Sequence, residues 1–284
     1  MADKIERDHW HPAFVGAMEI EFIQYKGLLE FDEEHKLSRE PLSMDLLVIK
    51  KYADAEVANE IGRMFRKFNV FEYKSPDDGL TIDDYIKTVG YAYLYKGQGK
   101  TVDEIPFDEL TVTLVRDNMP DGLFESVKRL GGTVEECFPG VYYISGVVST
   151  PTQFVLTSSL DKTLHTSLRL LTKRATEEDA ERFIEMASKF TEPGDRHNAD
   201  AVLQVSVSAN RKIYENVKRR NPAMCQAMKD LMKDEIQEEN QKAVDISLIA
   251  AIKNLMEKSG WDATKAMESM GIPATDQIRY ASRL

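Results

Sequence analysis

Two short runs of branched and aromatic side chains narrow the folds open to this chain more than anything else in it. They are Met-Asp45-Leu-Leu-Val-Ile-Lys and Asn-Val-Phe-Glu72-Tyr-Lys74-Ser-Pro. Each is long enough for one strand and too short for a helix. A carboxylate, Asp45, enters the first run. In the second, Glu72 and Lys74 lie two residues apart, so on a strand both leave from the same face. Two such strands side by side bring Asp45 and Glu72 together as hard oxygen ligands for Mg2+, with Mn2+ as an alternative and the Tyr73 carbonyl as a third oxygen. The Lys74 ammonium then stands beside the ion. Such a site suits metal-assisted attack of water on a phosphodiester, with Lys74 orienting or deprotonating the water and countering charge in the transition state.

An Asp followed by Glu-x-Lys on the next strand resembles the PD-(D/E)XK nuclease superfamily. The longer stretches Arg39-Glu-Pro-Leu-Ser-Met-Asp45-Leu-Leu-Val-Ile-Lys-Lys, Phe71-Glu72-Tyr-Lys74-Ser-Pro-Asp-Asp, Ile82-Asp-Asp-Tyr and Gly90-Tyr-Ala-Tyr-Leu-Tyr-Lys are similar to its Rpn-like branch of recombination-promoting nucleases and transposases. The resemblance covers the first half of the chain. It implies a restriction-endonuclease-like mixed β-sheet flanked by helices, DNA as substrate and a setting in recombination or mobile elements. It also implies an acidic residue on the first helix that tunes the metal or binds a second one. Glu21 is preferred for that part because it shares a stripe with Phe14, Met18 and Tyr25, and Glu19 is the alternative.

The order of elements fits an α/β fold. His11 to Tyr25 reads as a helix, Leu28 to Phe31 and the region around Leu37 as a first strand and its turn, Met44 to Lys50 as a second strand, and Val70 to Lys74 as a third. Val57, Ile61, Met64 and Phe65 have helical spacing, which predicts a helix over Ala55 to Phe68. Thr81-Ile-Asp-Asp84 has the form of a capping box and opens a helix carrying Tyr85, Val89 and Tyr93. Leu110 to Val115 alternates as a strand, Pro120 to Leu130 follows as a helix, and Val134 to Phe138 and Val141 to Ile144 are strands joined at Pro139-Gly140. After about Leu170 helical patterns dominate. They begin with the capping box Thr176-Glu-Glu-Asp179 and continue through Asp195 to Lys218, Pro222 to Glu238, Val244 to Lys258 and a closing pair. The expected division is a nuclease-like α/β domain over 1–172 and an α-helical C-terminal region over 173–284, packed on or near the first and offering a surface for self-association.

Composition excludes several classes. With 42% hydrophobic and 30% charged residues the chain reads as globular, and no run approaches a membrane span. Two cysteines, Cys137 and Cys225, and an N-terminus without a signal-peptide core predict a cytoplasmic protein. A net charge of −11 argues against coating nucleic acid by bulk electrostatics and leaves room for a local basic patch. That charge supports an alternative reading, a binding module for nucleic acid or protein with little or no catalysis. The plainer readings of the same residues are a turn cap for Asp45, a solvated edge strand for Glu72 and Lys74, core packing for Tyr85, Tyr91, Tyr93 and Tyr95, and a solvated helix face for Arg211-Lys212 and Lys218-Arg219-Arg220.

Overall fold

The computed structural model describes residues 10–32, 46–52, 55–221, 228 and 233–281. Asp45, the region around Leu37, and Cys225 lie outside the described residues. The chain runs through helix α1 (Trp10–Glu21), strands β1 (Leu29–Asp32), β2 (Leu46–Lys51) and β3 (Phe68–Tyr73), helix α2 (Ile82–Lys96), strand β4 (Leu110–Arg116) and helix α3 (Asp121–Arg129). Strands β5 (Thr133–Phe138), β6 (Val141–Ser145) and β7 (Thr152–Leu156) follow, then helices α4 (Thr166–Arg169), α5 (Glu177–Ala187), α6 (Pro193–Ala209) and α7 (Arg211–Arg220).

The seven strands form one mixed sheet in the order β1-β2-β3-β4-β7-β6-β5. The first three make an antiparallel meander, with Leu46 opposite Glu72. Strand β4 lies parallel to β3, and β7 lies parallel to β4. The β7, β6 and β5 strands close the far side antiparallel. Helix, antiparallel meander, helix and parallel strand is therefore the observed order of the first half.

Helices cover both faces of this sheet. On one, α2 and α3 bury Tyr85, Val89, Leu123 and Val127 against Phe68, Val70, Val112, Leu114 and Phe154. On the other, Phe14 of α1 stacks on Tyr73 of β3 with ring centroids 4.7 Å apart. Strands β4 and β7 are buried along both faces, so the Thr and Gln positions of their sequences lie inside along with the apolar ones. The polar members bond to each other inside the sheet: Gln153 Nε2 donates to Thr113 Oγ1 at 3.0 Å, and Thr111 Oγ1 to Asn69 Oδ1 at 2.7 Å. Pro139-Gly140 does form the turn between β5 and β6. Gly140 has φ of 75°, and a Cβ there would meet the Leu156 carbonyl oxygen at 2.8 Å, so only glycine fits.

The helix expected over Ala55 to Phe68 is not formed. Only Gly62–Met64 turns, as a 3-10 segment, although Val57, Ile61 and Phe65 are buried as their spacing suggested. Tertiary partners hold this stretch open. The Tyr25 hydroxyl accepts from the Ala58 and Asn59 amides at 3.1 and 3.2 Å, and Asn59 Oδ1 accepts from the Ile61 amide at 2.9 Å. The helix read as continuous from Asp195 to Lys218 is broken at Asn210, whose side chain donates to the Thr172 carbonyl at 2.7 Å.

By contacts the chain separates into two compact units, Met1–Leu231 and Met232–Leu284. The compositional shift near residue 172 falls inside the first unit, where α6 packs on α1 with Gly16 against Asn198. The second unit contains α8 (Lys233–Ser259), α9 (Ala263–Ser269) and α10 (Ala274–Ala281), gathered on Ile252, Ala266, Met267, Ile272 and Tyr280. Among the described residues no helix is long and apolar enough to cross a membrane.

Candidate functional site

Period-two alternation along β3 sends Phe68, Val70, Glu72 and then Lys74 toward α2, with the first two in the apolar core and the last two where that core ends. The capping box starts α2 at this place. Thr81 Oγ1 accepts from the Asp84 amide at 3.3 Å, and Asp84 Oδ2 accepts from the Thr81 amide at 2.9 Å. The other oxygen of Asp84 is left for Lys74. Lys74 Nζ sits 3.0 Å from Glu72 Oε1 and 2.9 Å from Asp84 Oδ1, with the three side chains 17%, 15% and 23% exposed.

The charges in this cluster are unequally compensated. Burial pushes the Glu72 carboxyl above its ordinary value, and Lys74 offsets only part of that rise. Burial also works to lower Lys74, but Glu72 and Asp84 together outweigh it and hold the ammonium above the usual lysine value. Asp84 ends below the usual aspartate value: burial raises it, and hydrogen bonds from Lys74 and Thr81 overcome the rise. Glu72 is thus a part-buried carboxylate beside the Lys74 ammonium, and a carboxylate oxygen is the kind of donor that a hard divalent cation takes. Among the described residues no group of three or more His, Cys, Asp or Glu side chains is arranged to hold a metal. The second expected ligand, Asp45, is outside them.

Glu21 does not join this cluster. It ends α1, which packs on the Tyr73 face of the sheet, and Tyr73 points opposite to Glu72 and Lys74. The Glu21 side chain is 1% exposed; its Oε1 lies 2.6 Å from His165 Nδ1 and also accepts from Asn59 Nδ2. His165 Nε2 lies 3.1 Å from Glu60 Oε2. Burial works to lower the His165 imidazole, and the two carboxylates outweigh it, so it sits above the usual histidine value. This is an ion cluster joining the end of α1, the 59–61 segment and the turn before α4. Glu19, the alternative helix acid, instead accepts from Asn198 of α6.

The tyrosines of α2 serve packing. Tyr85 and Tyr95 are buried, Tyr93 lies against Phe107 with centroids 5.2 Å apart, and Tyr91 lies beneath Lys87. Two partners carry no local signal in the sequence. Asp84 belongs to a capping box, and nothing nearby in sequence marks its second oxygen for Lys74. His165 is 144 positions from Glu21, beyond any local spacing rule. Comparison of the chain with protein-family models, with curated proteins and with solved structures found no match.

Proposed function

We propose that the chain is a Mg2+-dependent DNA endonuclease of the PD-(D/E)XK type, acting in recombination or mobile-element processing, the setting being carried by the sequence resemblance alone. The observation that supports the chemistry most is the Lys74 ammonium held 3.0 Å from the Glu72 carboxylate on one face of β3, at the rim of the core. The order helix, antiparallel meander, helix and parallel strand around that pair supports it further. Asp45 and Glu72 would hold the ion, which when bound polarises the phosphodiester and makes water a better nucleophile. Lys74 orients that water and faces the charge that grows on the phosphoryl oxygens. Tyr73, stacked on Phe14, keeps the strand from turning and so fixes the direction of its neighbours. A cytoplasmic setting, DNA as partner and self-association through the helical C-terminal region belong to the same reading.

A second reading has one observation of its own. Lys74 is shared between Glu72 and Asp84, and Asp84 also caps α2, so the cluster clamps strand to helix. The chain would then be a binding module on the same fold with little or no catalysis.

Metal titration with a cleavage assay separates the two. Wild type is expected to bind Mg2+ or Mn2+ and to cut DNA in its presence and not in EDTA. Glu72→Gln keeps shape and removes the charge, so metal binding and cleavage should weaken together and recover in part at high metal. A folded wild type that binds no metal and cuts no single-stranded, duplex or branched DNA returns the chain to the binding-module reading.

A further inference from the structure

The chain carries 48 acidic and 37 basic residues, yet its exposed cations are not evenly spread. Helix α7 buries Tyr214 and Val217 on its inner side. Its outward side presents Arg211 and Lys218, seven positions apart, beside Lys212 and Arg219 at the same spacing, all exposed. Glu215, also exposed, is the single acid within α7. Lys218 and Arg219 in the last turn complement the helix dipole. Arg211 and Lys212 stand at the junction of two helices: they open α7, with no acid in its first turn, and directly follow the C-terminal end of α6, whose dipole attracts cations. The cations at both ends of α7 therefore sit at helix C-termini, where partial negative charge supports them.

Helix α7 is tied to the end of the sheet where Lys74 stands. Asn210, the residue before it, donates to the Thr172 carbonyl at 2.7 Å and accepts from the Ala175 amide at 3.3 Å. Thr172 Oγ1 donates to Asp117 at 2.8 Å, and Asp117 directly follows β4. Between these anchors Lys173 reaches Asp77 at 2.5 Å, three residues past Lys74 in sequence, and Arg174 bonds Asn118 with 64% of its side chain exposed. The cations therefore continue from the C-terminal ends of β3 and β4 onto α7. The Lys173–Asp77 pair is solvent-exposed, and such pairs are worth little.

We propose that Lys173, Arg174, Arg211, Lys212, Lys218 and Arg219 form a track for the phosphate backbone of a nucleic acid, leading to the sheet end where Lys74 stands. The track rests on the nuclease reading only for the choice of nucleic acid as the polyanion. Its α7 part spans roughly 10 Å, the rise of seven helical residues. That length covers about three phosphates of one strand along a duplex axis.

The test is binding of fluorescein-labelled duplex DNA in EDTA over a range of NaCl, for wild type and for Arg211→Ser/Lys212→Ser and Lys218→Ser/Arg219→Ser, with folding checked by circular dichroism. Each double variant should lower the slope of log affinity against log salt by about 1.8 and weaken binding on the order of 10-fold or more, whatever the base sequence. The swap Arg211→Lys/Lys212→Arg should keep the slope. Folded double variants with unchanged affinity and slope overturn the track, as does a wild type that binds no DNA. Binding of phosphatidylserine vesicles or poly-glutamate that exceeds DNA binding and disappears in the variants also overturns it, because the cations then serve another partner. Adding Mg2+ separates the two readings. Wild type that binds through the track yet cuts nothing leaves the track and removes the nuclease. Wild type that cuts, with variants of unchanged KM, does the opposite.

Discussion

Lys74→Ala protein should still bind metal and lose turnover on DNA by something on the order of 10²-fold or more. On the nuclease reading the proposed ligands of the ion are untouched by this change, whereas the ammonium 3.0 Å from Glu72 is lost. The same change leaves Glu72 and Asp84, each less than a quarter exposed, without their shared cation. A stability loss of about 1–2 kcal/mol should accompany it, short of the cost of breaking a fully buried pair. Asp84→Asn separates the two effects, because it weakens the clamp on α2 and spares the Glu72–Lys74 contact. If the cluster is catalytic, Asp84→Asn loses stability and keeps turnover within about tenfold, while Lys74→Ala loses both. Equal cleavage by wild type and Lys74→Ala would sink the role given to the lysine. Comparable losses of stability with no cleavage in any variant would leave the clamp as the whole function of the cluster.

The largest stability effect is expected at His165. Its two ring nitrogens face carboxylate oxygens at 2.6 and 3.1 Å, and only the imidazolium can donate from both. Glu21→Ala leaves that charge buried with Glu60 as its remaining carboxylate partner, and removing one member of a buried pair costs about 3–5 kcal/mol. The pH dependence follows from the raised His165 value. A folded value above the unfolded one makes the stabilisation full below the ordinary histidine range, about 6.5. It is lost as pH rises through the folded value. Urea unfolding midpoints from pH 5.5 to 9 should therefore fall for wild type as pH rises above about 6.5. In His165→Gln this component should be missing. Parallel curves for the two proteins would show that His165 does not titrate as its partners demand.

Local pattern was enough for most elements that shape the first half of the chain. Short β-branched runs marked β2 and β3, alternation marked β4, and the capping boxes at Thr81 and Thr176 marked the starts of α2 and α5, because each signal depends on neighbours within a few residues. The placement of Glu72 and Lys74 on one face followed from strand geometry alone. Elsewhere local spacing misled. Val57, Ile61 and Phe65 do go into the core, but Tyr25 and Asn59 bind the backbone amides that a helix would have used, so the segment stays open. Strand β7 gave no alternating signal, since Thr152 to Leu156 are buried on both faces, between parallel β4 and antiparallel β6.

What the sequence determined by itself was the mixed α/β character of the chain and the Glu72–Lys74 pair, for these depend on periodicity and on spacings of two to four residues. The tertiary structure alone decided which charges meet. Asp84 comes to Lys74 because α2 packs on the face that β3 shares with it. Glu21 goes to His165 instead, because α1 packs on the opposite face and ends beside the turn before α4. Both assignments turn on which side of the sheet a helix takes, a choice made by burial of whole faces that no single helix or strand carries within its own sequence.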